Sequence, residues 1–128
     1  KASHALVPGD HGTTYGGNAF ATAAVSVVYD IFEEEHITDH VKEVGAYLYE
    51  KLEELKAEYS QITDHRGLGL MQGLEFSGPV GDIIVRAMDK GLILMSAGAN
   101  VLRFVPPLVI TKEHVDEMCG ILRSVLTA

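Results

Sequence analysis

The sequence predicts an α+β fold, built on a small, mainly antiparallel sheet with helices packed on one face. Three observations predict it. The elements run helix, helix, strand, strand, helix, strand, strand, helix; the strand runs are short and come in adjacent pairs; and the helical stretches carry apolar residues at three-and-four spacing. The chain has 128 residues, 47% of them hydrophobic and 22% charged, which suits one globular domain of ordinary size.

Asn18 is placed to accept hydrogen bonds from the free NH groups of a helix over Ala19–Glu34, a stretch rich in alanine with no internal glycine or proline. Its Ala21, Ala24, Val25, Val28 and Phe32 recur at helical spacing, and the small Ala23, Ala24 and Ser26 let neighbours approach from several sides, so a crowded setting is expected. Thr38 or Asp39 caps a second helix reaching residue 59, with Val41, Val44, Leu48, Leu52 and Leu55 as its apolar stripe. Residues 62–65 and 70–76 then read as strands joined through Arg66-Gly67-Leu68-Gly69, with the register open.

Ser77-Gly78-Pro79 breaks the chain before a helix over residues 80–90, with Ile83, Ile84, Ala87 and Met88 inward and Gly91 as its C-terminal cap. Residues 92–95 and Val101–Phe104 follow as strands around the turn-forming residues 96–100, and Pro106-Pro107 ends the sheet because neither proline can donate to a ladder. Thr111 caps a last helix, whose inward positions are Val115, Met118, Cys119, Leu122, Val125 and Leu126.

Charge and cysteine content exclude several functions. Eighteen acidic against ten basic residues give a net charge of -8, which repels nucleic acid and anionic membrane surfaces. No apolar run is long enough to cross a bilayer, and no signal-peptide core follows Lys1, so the cytosol is the expected setting. Cys119 is the single cysteine; it allows no intrachain disulfide and reads as a buried, inert thiol. The six histidines form no compact metal pattern. His36 and His40 are four apart, which one continuous helix would align for a metal, but Thr38-Asp39 reads as a helix start between them and leaves both as surface residues.

Two places carry candidate chemistry. In residues 9–18 the adjacent hydroxyls of Thr13 and Thr14 and the NH groups around Gly12, Gly16 and Gly17 lead into a helix N-terminus, a fair site for a phosphate or carboxylate. By itself that signal is weak: the residues read more readily as a tight connection with capping hydroxyls, and they match neither the Walker nor the dinucleotide pattern. So specialised a loop so near Lys1 leads us to read Lys1 as lying inside a longer chain. Arg103 alternates in facing with Leu102 and Phe104 on an apolar strand. A guanidinium there needs an acceptor, either a substrate carboxylate or a buried ion-pair partner, and the residues alone leave both open.

Three segments resemble a known family. His11-Gly12-Thr13-Thr14-Tyr15-Gly16-Gly17-Asn18 resembles the hallmark segment of subgroup III, fold-type I pyridoxal-phosphate aminotransferases, Arg66-Gly67-Leu68-Gly69-Leu70-Met71 their small-domain strand motif, and Leu102-Arg103-Phe104-Val105-Pro106-Pro107-Leu108 their carboxy-terminal signature. The order is also the family's, and residues 97–103 look most like acetylornithine aminotransferases. Ala19 departs from the pattern, standing where the family usually has proline.

The resemblance implies the carboxy-terminal part of a homodimeric enzyme, with residues 1–18 a phosphate-contacting loop from the edge of the large domain and 19–128 the small domain. It implies that Thr14, with Thr13 beside it, binds the phosphate of pyridoxal 5'-phosphate held by the opposite subunit, and that Arg103 holds the α-carboxylate of N-acetylornithine and then of glutamate or 2-oxoglutarate. The lysine that holds the cofactor is expected upstream, so this segment by itself is expected to be inactive. Ornithine, succinylornithine or 4-aminobutyrate as amino donor, and a noncatalytic module binding phosphate or a partner, are the alternatives.

Overall fold

The computed structural model describes residues 12–127, so residues 1–11, with His11 of the loop motif, lie outside the described residues. The chain divides into two compact units between His36 and Ile37.

The first unit holds one described element, α1 (Ala19–Glu34). Asn18 caps it as its chemistry predicts, Oδ1 accepting the Ala21 N–H at 2.9 Å. None of the α1 residues is buried, and Val25 and Val28 of the expected inward stripe are exposed. The packing that the small residues suggest is therefore absent among the described residues. His36, at φ 50°, ends the helical path after Glu35.

The second unit contains α2 (Ile37–Glu58), β1 (Ile62–Leu68), β2 (Met71–Phe76), α3 (Gly81–Asp89), β3 (Met95–Ser96), β4 (Val101–Phe104) and α4 (Lys112–Leu126). The sheet is antiparallel throughout, in the order β1-β2-β4-β3. The α+β architecture is thus the expected one. α2 starts before Thr38, because Ile37 is buried and begins the helix; Thr38-Asp39 lies inside the first turn rather than capping it. β1 runs on through Arg66-Gly67-Leu68, and β1 and β2 meet in a two-residue turn, where Gly69 at φ 56° supplies the left-handed conformation such a turn demands in first place.

One bulge sets the facing of β1. Ile62 pairs with Phe76 and Asp64 with Glu75, so Thr63 is the extra residue and both Ile62 and His65 face the core. That face also carries Gln72, Leu74, Phe76, Leu102 and Phe104. Against it pack the stripe Val44, Leu48, Leu52 and Leu55 of α2, Ile83 and Ala87 of α3, and Val115, Cys119, Leu122 and Val125 of α4. Each large side chain buried this way contributes roughly 1.5–3 kcal/mol. The opposite face of the sheet carries Asp64, Arg66, Glu75 and Arg103.

Two differences from expectation have simple causes. Residues 92–94 are not strand: Leu94 is buried but Ile93 is 82% exposed, and only Met95 and Ser96 find partners on β4. Met88 lies 56% exposed at the end of α3, because Gly91, at φ 87°, turns the chain away and Leu92 N–H bonds back to Ala87 O at 2.9 Å.

Candidate functional site

Arg103 sits on β4 between the fully buried Leu102 and the buried Phe104, pointing to the opposite face as alternation requires. Its pairing rung runs Arg66, Gly73, Arg103, Met95 across the four strands. Among the described residues, Arg103 Nε is the one buried side-chain nitrogen or oxygen without a hydrogen-bond partner. Its Nη2 reaches only Met95 Sδ, at 3.8 Å, a weak acceptor. A buried ion pair of Arg103, one of the two readings open from the residues, is not found among the described residues. Arg103 is also among the residues lining a cavity of about 410 Å³ whose walls are mostly apolar, with Val105, Pro106, Ile110 and Met118. A cation with an unused donor beside an apolar wall is suited to a carboxylate with an aliphatic chain.

The loop before α1 is shaped by its own side chains. Gly16 N–H donates to Thr13 Oγ1 at 3.2 Å, and a β-carbon on Gly16 would strike the Thr13 methyl, 2.2 Å away. Asn18 Nδ2 donates to Tyr15 O while its oxygen caps α1. Thr13 keeps its hydroxyl proton free to donate, and Thr14 makes no hydrogen bond with any described residue; both are exposed. Two hydroxyl donors at the start of a helix are a donor set that a phosphate dianion can use.

Among the described residues no cluster of three or more histidine, cysteine or acidic side chains could hold a metal, and no helix is long and apolar enough to cross a membrane. His40 is not a simple surface residue: it is half-buried, with Nε2 2.8 Å from Ile110 O, and so ties α2 to the segment before α4. Cys119 is buried as expected, and burial pushes its thiol up to about 11.

Comparison with known proteins fits this geometry. A family model described as aminotransferase class-III matches residues 1–126. The chain belongs to the class-III aminotransferases. An acetylornithine aminotransferase of Aquifex aeolicus is 42% identical over 127 residues, covering 98% of this chain and 32% of its own length. That of Methanocaldococcus jannaschii is 44% identical over 129 residues, covering 99% and 32%. Among solved structures, a lysine aminotransferase from M. tuberculosis superimposes with TM-score 0.84 at 28% identity, over 94% of this chain and 28% of that one. The ornithine δ-aminotransferase of Plasmodium falciparum gives 0.82 at 33%, over 95% and 33%. The chain spans about a third of the length of the curated relatives it matches.

Within this class-III segment, two groups of residues escape the sequence reading. On the Arg103 face, Arg66 Nη1 lies 2.7 Å from both Asp64 Oδ2 and Glu75 Oε2. Donating to Glu75, and then to Asp64, holds the Arg66 guanidinium above its ordinary range, and Arg66 in turn holds Asp64 below the usual carboxylate range. On the core face, His65 Nδ1 lies 2.6 Å from Glu53 Oε1 and its Nε2 3.1 Å from Gln72 Oε1, while Gln72 Nε2 donates to Gly69 O at 2.7 Å. The Tyr49 ring stacks on His65 with centroids 4.4 Å apart. The spacing from Asp64 to Glu75 would have pointed to the first group once the hairpin register was known; the second has no sequence signal beyond a histidine in a strand.

Proposed function

We propose that this chain forms the small-domain portion of a pyridoxal-phosphate-dependent transaminase that moves the amino group of N-acetylornithine to 2-oxoglutarate. The observation that carries the reading is the buried, unpartnered Nε of Arg103 on the open face of the sheet. Support comes from family membership and from relatives named acetylornithine aminotransferase at 42% and 44% identity.

In this reading Arg103 receives the α-carboxylate of the donor and then of the oxoacid. Its fork supplies paired N–H donors that orient the substrate, and the apolar walls beside it exclude water. Thr13 and Thr14 donate their hydroxyls to the phosphate of pyridoxal 5'-phosphate held by the opposite subunit of a cytoplasmic homodimer. Residues 1–18 then belong to the edge of a large domain and 19–128 to the small domain. When bound, the cofactor supplies an electron sink for the carbon that loses its proton. This chain's part is to grip the anions at either end.

The test is Arg103→Lys in the full-length enzyme. Replacing a two-pronged donor by a single ammonium should raise the Michaelis constants for both amino donor and 2-oxoglutarate by roughly tenfold or more. Unchanged constants for both would remove the carboxylate role. Ornithine as donor is the second reading, favoured by the likeness to the Plasmodium falciparum ornithine δ-aminotransferase at 33% identity. Comparing kcat/KM for acetylornithine and ornithine decides between them.

A further inference from the structure

Arg103 shares its face of the sheet with two carboxylates, yet neither binds it. Arg66, Gly73 and Arg103 form one rung across β1, β2 and β4, and Asp64, Glu75 and Val101 form the next. Glu75 is therefore the diagonal neighbour of Arg103, a separation of about 7–8 Å that long side chains span. Gly73, between the two arginines, has no side chain to stand in the way. By proximity Glu75 should capture Arg103.

It does not, because its oxygens are already engaged on the other side. Oε2 lies 2.7 Å from Arg66 Nη1, and Oε1 accepts from Asn100 Nδ2 at 3.4 Å. Asp64 is drawn to the same Arg66 nitrogen at 2.7 Å. Without Arg66, Asp64 and Glu75 would face each other across the rung as like charges, and Arg103 would be the remaining arginine on that face among the described residues.

We propose that Arg66 is a positioning residue that draws Glu75 away from Arg103, so that the Arg103 fork stays open to a carboxylate arriving from outside. The inference rests on the reading of Arg103 as the carboxylate-binding residue. Glu75 would otherwise act as a built-in competitor for every carboxylate substrate. Specificity for an external carboxylate is then set partly by a pair of side chains that never touch it.

A double-mutant cycle in the full-length enzyme tests this. Arg66→Met should raise the Michaelis constants of both amino donor and oxoacid roughly fivefold, the strength of a half-exposed ion pair, with kcat little changed. Calorimetric binding of glutarate, an unreactive dicarboxylate, should weaken by the same factor. Adding Glu75→Gln should restore both readings. Adding Glu75→Asp instead keeps the charge but shortens the reach, and should restore most of the loss; a net-field effect would leave it in place. Should Arg66→Met not fold, Arg66→Lys, which holds one carboxylate at a time, should show a smaller rise that Glu75→Gln again cancels.

No change on losing Arg66, or a rise that Glu75→Gln fails to reverse, overturns the proposal. So does a rise that persists with Glu75→Asp. Arg103→Lys is run alongside. If it raises both constants while the Arg66 variants fail, only the positioning role falls; if it changes neither, the reading of Arg103 falls and this inference with it.

Discussion

Gly45 and Gly120 both lie in helix interiors, and the same substitution to alanine should move stability in opposite directions. Intrinsic propensity favours alanine at each by about 1 kcal/mol. At Gly120, on the exposed side of α4, an added β-carbon meets nothing within 4 Å, so that gain is realised in full. At Gly45, on the buried side of α2, the β-carbon would lie 2.7 Å from Gly69 C and 2.9 Å from Gly69 Cα and O. These are backbone atoms in a turn fixed by the Gly69 φ of 56° and by the Gln72 hydrogen bond to Gly69 O, so the turn cannot yield by rotating a side chain. α2 must move off the hairpin by roughly 0.7 Å or more to reach ordinary contact, and overpacking of that kind costs about 1–3 kcal/mol, with the intrinsic gain set against it. Urea denaturation followed by far-ultraviolet circular dichroism should place Gly45→Ala up to roughly 2 kcal/mol below the parent and Gly120→Ala about 1 kcal/mol above it. If Gly45→Ala is as stable as Gly120→Ala, close approach of α2 to the turn is not what requires glycine there.

Cys119, fully buried with its thiol pushed up to about 11 by burial, keeps its proton more tightly in the folded state than the ordinary 9.0 of an exposed thiol. Its contribution is therefore whole below about pH 9 and is lost between about pH 9 and 11, a fall of roughly 2–3 kcal/mol that Cys119→Ala should abolish in a pH series of denaturant midpoints. The folded thiol should also resist iodoacetamide at neutral pH and react once urea unfolds the chain. His65→Ala removes the ring stacked on Tyr49 and strands the buried Gln72 amide oxygen. A loss of about 2–4 kcal/mol is expected in the same urea assay, and a loss below about 0.5 kcal/mol would mean that this network holds the turn no better than solvent does.

What the sequence discloses follows how local each determinant is. The α2 stripe is legible because helical period is a property of adjacent turns, and Val44, Leu48, Leu52 and Leu55 are all buried where the period puts them. The facing of Arg103 is legible for the same reason, since alternation with Leu102 and Phe104 needs only three neighbouring residues. By contrast, the place of Glu75 beside Arg103 needs nonlocal facts, the pairing of β2 with β4 and its register. Residues 92–94 mislead because an apolar run looks alike whether or not a partner strand exists to receive it. His40 misleads in another way: capping chemistry points to a helix start at Thr38-Asp39 and a surface histidine, but the helix begins at the buried Ile37 and His40 lies half-buried against Ile110 O.

The two faces of this small sheet obey different rules. On the core face every buried polar group is answered: His65 by Glu53 and Gln72, and Gln72 by Gly69. On the other, Arg66 is doubly paired while Arg103, on the same rung across Gly73, has a buried donor left over among the described residues. An unmet buried donor costs about 1–3 kcal/mol, and the remedy was one side chain away in Glu75. That the carboxylate is instead turned toward Arg66 and Asn100 argues that the unmet donor is what the face is built to keep, the strongest physical reason to look for an anion there.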